Sequence, residues 1–404
     1  MTRRWRLAAL VLLFTIAVIE GLSAVFVRVL LPWRARHLVY APPVAEVVAR
    51  HGEYLAHRDP DLGWPSRRAY GAECCDESGA RRNPAFPIVG TACVSAYGDS
   101  FTWGDEVPPA DAWVTRLAER LGCRVANYGA NGYGTDQAFL RWRLTTGDEA
   151  RLVIFTIYPE NVVRNVNRYR PLLTGEGESL GLKPRFVLEP DGTLRLVPIP
   201  TPSADELRAL LLAPERFLTG EYFTPDGPAG PIRPRVPHLL GVARLLRNEQ
   251  VWGWVRALRT GEPTWAAFYE REHPSGSFAM LEAIVAALAR EVPARGQSLM
   301  VQILPTPAVV ATYRRTGTWV YDELLRALAA RGVEVVNLGA DMLARLGDRS
   351  LCELLVRPDS CTGHFDADGN RLIAEIVAEQ LARRGLRPER RNPPPAARPR
   401  PGWP

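Results

Sequence analysis

Four short segments hold residue types that could do chemistry together. The first is YGDSFTWG at 97–104, where Ser100 follows an apolar run in a Gly-containing turn. A serine so placed presents its hydroxyl beyond a strand end. It also sits at the start of the next helix, whose free N–H groups favour developing negative charge. The second is NYGANGYG at 127–134, where Gly129, Gly132 and Gly134 let the backbone approach a ligand closely. The third, YPENVVRN at 158–165, offers the side-chain amides of Asn161 and Asn165. The fourth, CTGHFDADGN at 361–370, puts His364 just ahead of a helix that Asp366 is placed to cap. A serine hydroxyl is a poor nucleophile until an imidazole takes its proton, so the chemistry such a set could do is acyl transfer through serine. Alone, each segment is ordinary: a turn, a connection, a solvated histidine. Their setting joins them.

That setting is an alternation of strands and helices. Apolar runs at 91–97, 123–128, 150–158, 298–305 and 333–338 read as strands. Helical patterns occupy 112–121, 135–144, 278–290, 320–330 and 367–383. The run ARLVIFTIY (150–158) is almost continuously apolar, as expected of a strand covered on both faces. The fold class this implies is α/β, a flavodoxin-like three-layer α/β/α arrangement with a central parallel sheet. In such sheets ligands bind beyond the carboxyl ends of the strands, and all four segments fall there. The alternation breaks over 166–275, where two alternating runs flank Asp191-Gly192 (a hairpin signal) and helical pieces at 203–212 and 238–248 lie among Pro and Gly. That stretch is expected to be an inserted lid or side subdomain. The core is then 91–165 with 276–385, preceded by a stalk and irregular lobe over 33–90.

The ends of the chain say where the body works. Residues Leu7 to Leu31 are apolar over a bilayer's width and interrupted only by Glu20 and Arg28. With RRWR ahead of them, residues 1–32 read as a cytoplasmic flank and a single-pass anchor, the body lying outside the cytoplasm. A cleaved signal peptide, cut near Ser23 or Ala24, is the alternative. Six cysteines (Cys74, Cys75, Cys93, Cys123, Cys352 and Cys361) suit an exported, oxidised body, with Cys352–Cys361 the first pairing expected. The formal charge is +6, but arginines before residue 40 and after 385 exceed that excess, so the body itself is slightly acidic. Nucleic acid is therefore not an expected partner. The segment 386–404, rich in Pro and Arg, reads as an extended tail. GANGYG lacks the spacing of a dinucleotide-binding loop. Cys361-x-x-His364 lacks two further metal ligands, so neither cofactor nor metal is expected.

Taken in order, the four segments resemble the SGNH (GDSL-type) hydrolase family, over about 90–165 and 296–384. The stretch YGDSFTWG…NYGANGYGTDQ carries most of the likeness. The resemblance implies Ser100 as nucleophile, His364 as general base, and an oxyanion hole made by the N–H of Ser100, the N–H of Gly132 and the side chain of Asn161. This chain has Pro159-Glu160-Asn161-Val162 where the family usually shows Gly-x-Asn-Asp or Gly-Asn-Asp. It also lacks the family's aspartate two or three residues before the histidine, having Cys361 and Thr362 there. Asp359 is the nearest upstream carboxylate and would orient His364 if the loop bulges; otherwise a backbone carbonyl would do so.

The expected activity is hydrolysis of small acyl esters, O-acetyl above all, on an envelope or extracellular glycan through an acyl-Ser100 intermediate. Two other readings stand beside it. One is an O-acyltransferase that uses the same residues with a sugar hydroxyl as acceptor. The other is a non-catalytic glycan-binding or assembly protein, which the missing carboxylate favours.

Overall fold

A computed structural model describes residues 3–63, 74–87, 91–174 and 181–386. The expected tail lies, from residue 387 on, outside the described residues. Five strands form the central sheet: β1 (Val94–Tyr97), β2 (Val125–Asn127), β3 (Leu152–Ile157), β6 (Ser298–Ile303) and β7 (Val335–Asn337). Their spatial order is β2-β1-β3-β6-β7, and every pairing is parallel. All six residues of β3 are buried, which explains its unbroken apolar run.

Helices cover both faces. Trp113–Leu121, Leu338–Leu346 and Ala367–Arg383 pack together on one side; Thr135–Leu144, Ser277–Ala294 and Asp322–Ala330 pack on the other. This is the expected three-layer α/β/α fold, with the strand order reversing direction between β1 and β3. That reversal opens a crevice above their carboxyl ends. The core beneath holds Trp113, Phe139, Trp142 and Phe155, each fully buried, and each such ring stabilises the fold by about 1.5–3 kcal/mol.

Between β3 and the helix at 277–294 runs the insertion. Its hairpin pairs β4 (Arg185–Leu188) with β5 (Leu194–Val197) about the expected Asp191-Gly192 turn. Lys183, at its base and fully buried, forms an ion pair with the equally buried Asp136. The helical piece expected over 238–248 ends at Leu245, and a second helix, Glu249–Thr260, follows it. Sequence periodicity missed that second helix because no residue in it is buried. Also unexpected is a short antiparallel hairpin, β8 (Leu355–Arg357) with β9 (Thr362–Phe365), too brief to show a period.

Three disulfides are present: Cys74–Cys75, Cys93–Cys123 and the expected Cys352–Cys361. At the N-terminus, the helix Arg3–Val25 continues through a π-helical turn (Phe26–Leu30) into Leu31–Ala35. It is long and apolar enough to cross a membrane. Its far end, Val27 and Leu31, packs on Ile232 and Leu245 of the insertion in a small core of its own.

Candidate active site

Each strand end supplies one wall of the crevice. Beyond β1, Asp99 caps a one-turn helix, Ser100–Trp103, by accepting from the N–H of Phe101 (3.0 Å). The second strand end is locked to that turn: Asn127 Nδ2 donates to the carbonyls of Thr102 and Trp103, and its Oδ1 accepts from the N–H of Gly129. A Cβ on Gly129 would collide with the backbone of Thr102 and Trp103, so only glycine fits. Gly132, at φ 71°, turns the loop back toward Ser100 in a conformation glycine adopts freely. Arg164, beyond β3, holds the same loop by donating to the carbonyl of Tyr133 (3.0 Å).

The fourth wall arrives from far along the chain. The β8–β9 hairpin is closed by Cys352–Cys361 and tied down by Asn370, whose Nδ2 donates to the Phe365 carbonyl (2.7 Å) while its Oδ1 accepts from the Trp113 N–H (2.9 Å). Trp113 in turn donates its indole N–H to the Phe101 carbonyl (3.1 Å). One network thus couples the histidine hairpin to the serine turn. The Phe101 ring lies against the His364 ring (centroids 4.6 Å apart) and stacks on Tyr158 (3.8 Å).

The outcome is a three-residue relay. His364 Nε2 is 2.8 Å from Ser100 Oγ. His364 Nδ1 is 2.7 Å from Glu106 Oε2, and the same oxygen accepts the backbone N–H of His364 at 2.9 Å. Arg357 donates to the other carboxylate oxygen (2.5 Å). Partial burial opposes ionisation of Glu106, but the hydrogen bonds from Arg357 and His364 outweigh it and hold the carboxyl down at about 2. An ionised carboxylate can only accept, so Nδ1 carries the ring proton and Nε2 is left to take one from Ser100.

The structure therefore puts Glu106 where Asp359 was expected. Asp359 is exposed in the turn between β8 and β9, and both ring nitrogens of His364 are occupied without it. The disulfide closes that turn tightly, while Glu106, itself at φ 65°, swings in from the serine loop. Glu106 sits six positions past Ser100, two beyond the end of the 97–104 segment, and the order of family segments gave no reason to look there. The disulfide also consumes Cys361, removing the one thiol that a metal reading had near His364. Among the described residues no group of three His, Cys, Asp or Glu is arranged to hold a metal.

Ser100, Gly132, Glu106 and His364 line one open cleft of about 910 Å³. Among the described residues, the N–H groups of Ser100 and Gly132 make no hydrogen bond. Asn161 is buried, one Nδ2 proton given to Oδ2 of Asp99, the serine's neighbour in the chain (2.8 Å), and it is not among the residues that line the cleft. Burial pushes the Asp99 carboxyl above its usual range, with Arg164 and that amide offsetting part of the effect. Asn165 points away from chemistry: it is buried, its Oδ1 accepting from the Asp136 N–H (3.1 Å). From the insertion, Arg170 and Trp265 reach the cleft lining.

Fold and site together define a three-layer α/β/α protein carrying a hydroxyl–imidazole–carboxylate relay at its crevice. No family model matches the chain, and no curated protein matches it. Among solved structures it is similar to a lipolytic protein assigned to the G-D-S-L family from Desulfitobacterium hafniense DCB-2 (13% identity, 71% of this chain and 97% of that one, TM-score 0.34). It is likewise similar to a member of the lipolytic G-D-S-L family from Veillonella parvula (13% identity, 72% and 98%, TM-score 0.30) and to the acetyl xylan esterase AlAXEase (12% identity, 71% and 98%, TM-score 0.32). The fold itself is defined by the strand order given above.

Proposed function

We propose that this chain is a membrane-anchored serine esterase that removes small acyl groups, acetyl foremost, from a glycan outside the cytoplasm. One observation carries the proposal: the His364 ring joins Ser100 Oγ at 2.8 Å to the ionised Glu106 at 2.7 Å. In this reading Ser100 Oγ attacks the acyl carbonyl as Nε2 takes its proton. The oxyanion is received by the N–H groups of Ser100 and Gly132 and by the second Nδ2 proton of Asn161, each such donor lowering the barrier by about 3–4 kcal/mol. Glu106 stabilises the imidazolium that forms. His364 then protonates the departing sugar oxygen, and the same base activates the water that releases acetate from Ser100.

Water reaches this base directly, the His364 side chain being 22% exposed at the cleft, which favours hydrolysis over transfer to a second sugar. The carboxylate whose absence favoured a non-catalytic role is supplied by Glu106. An open cleft that sets the charged Glu160, Arg164 and Arg314 beside Trp265 suits a sugar chain better than a buried lipid. Three disulfides in the body support export, and the 35-residue apolar helix supports anchoring. The test is covalent labelling by a fluorophosphonate with p-nitrophenyl acetate turnover. The wild-type chain labels at Ser100 and hydrolyses the ester, and Ser100→Ala loses both. Undiminished turnover in Ser100→Ala would overturn the mechanism.

A further inference from the structure

Outside the site, the largest unexplained feature is the apolar surface of two consecutive helices in the insertion, His238–Leu245 and Glu249–Thr260. Leu239, Leu240, Leu246, Trp252, Trp254 and Leu258 are all exposed. The second helix is apolar on both sides: Val251, Val255 and Ala257 are half-buried and a side chain at Gly253 would meet the Thr264 carbonyl, while Trp254 and Leu258, one turn apart, face away. Exposed Arg247 and Arg259 flank this face.

The same segment grips the N-terminal helix. Glu20, the only carboxylate within the apolar run, accepts from the backbone N–H of His238 (2.6 Å) and of Leu239 (3.0 Å) and pairs with His238 Nδ1 (2.8 Å). Arg28 donates to His238 Nε2 (2.7 Å). Both ionisable groups that interrupt the hydrophobic span are thus satisfied by one turn of the insertion. From Leu7 to Glu20 the helix rises about 20 Å, two-thirds of a hydrocarbon core of about 30 Å. The grip therefore falls inside the leaflet nearest the body.

We infer that the 236–258 segment is a second membrane contact, lying in the body-side leaflet with Leu239, Leu240, Trp254 and Leu258 among the acyl chains and its arginines at anionic headgroups. The inference rests on the anchor reading above. Tryptophan and arginine at an apolar margin are what an interfacial helix carries. Placed there, a helix with no buried residue gains the cover the chain does not give it. Because Glu249–Thr260 leads directly to Trp265 on the cleft wall, the bilayer would fix the height and tilt of the active site above its surface.

The test uses the full chain in nanodiscs of phosphatidylcholine and phosphatidylglycerol. Single cysteines replacing Leu12, Leu240, Leu258 and, as an aqueous control, Leu144 are spin-labelled, and relaxation by oxygen is compared with relaxation by a water-soluble nickel chelate. Oxygen-to-nickel ratios several-fold higher at 240 and 258 than at 144 are expected, close to that at 12. A lipid-like 12 with water-like 240 and 258 leaves the anchor standing and overturns the second contact. Water-like behaviour at all three sites overturns both. Protection from both reagents, or spin–spin broadening, would show a protein partner or a second copy on the face and also overturn it. A readout without new thiols is quenching of the native tryptophans by lipids brominated near the headgroup. It should fall in Trp252→Phe/Trp254→Phe, and equal quenching in both chains counts against the proposal.

Discussion

Glu106 Oε2 accepts twice from His364, once from the ring and once from the backbone N–H. One carboxylate oxygen therefore fixes both the tautomer of the ring and the position of the strand that bears it. The serine loop thus carries two of the three relay members, and the hairpin carries one.

The carboxylate assignment separates cleanly by substitution. Glu106→Gln should lower kcat for p-nitrophenyl acetate by roughly 10²–10⁴-fold with KM little changed, as expected when an imidazolium loses its partner. Asp359→Asn should stay within about twofold of wild type, because an exposed turn residue contributes little. Equal losses in the two variants would return the role to Asp359.

Asn161→Ala should cost about 10²–10³-fold in kcat if its free amide proton meets the oxyanion. It also strips the buried Asp99 Oδ2 of its amide donor, so a fall in stability of about 1–3 kcal/mol should accompany it. Denaturant unfolding beside single-turnover kinetics tells the two effects apart.

The depressed Glu106 carboxyl makes a pH prediction of definite sign. Its folded value of about 2 lies below the ordinary 4.5. The group thus stabilises the fold fully above the ordinary value, and that contribution is lost as pH falls from there through 2. The difference in unfolding midpoint between wild type and Glu106→Gln should be steady near neutrality and shrink toward zero across that acidic window. A difference that persists below pH 2 would exclude the linkage.

Most of the scaffold was legible because its signals are local. The apolar run of β3, the turn after β1 and the Asp366 cap on the last helix, confirmed by its bond from the Gly369 N–H, each follow from adjacent residues. Ser100 and His364 were legible through motif order. Glu106 was not, since nothing in spacing foretells a loop at φ 65° folding back on a hairpin 258 positions away. The Glu249–Thr260 helix escaped for another reason: its tryptophans face outward while Val251 and Val255 are half-buried, so apolar residues on both sides blur the stripe that marks a core-facing helix.

Opening the Cys352–Cys361 bridge should uncouple activity from folding. The loop is short, with a separation of 9, so Cys352→Ser/Cys361→Ser should cost no more than about 3 kcal/mol. Far-UV circular dichroism should be retained while kcat falls, because the bridge closes the hairpin that aims the ring.

The buried Lys183–Asp136 pair can be tested by a double-mutant cycle. Burial pushes the carboxyl up and the ammonium down, each opposed by its partner. Lys183→Met strands a charge and should destabilise by about 3–5 kcal/mol, whereas Lys183→Met/Asp136→Asn should recover much of that loss.

Lys183 is also the sole lysine in the chain, and it is sealed inside. Among the described residues every solvent-facing cation is therefore a guanidinium or an imidazole, and no side-chain amine is offered to the surroundings. Activated acyl compounds near the body would find no lysine to modify, sparing the protein from acylating itself. For the same reason, succinimidyl esters and aldehydes will be poor handles for tethering or fixing it.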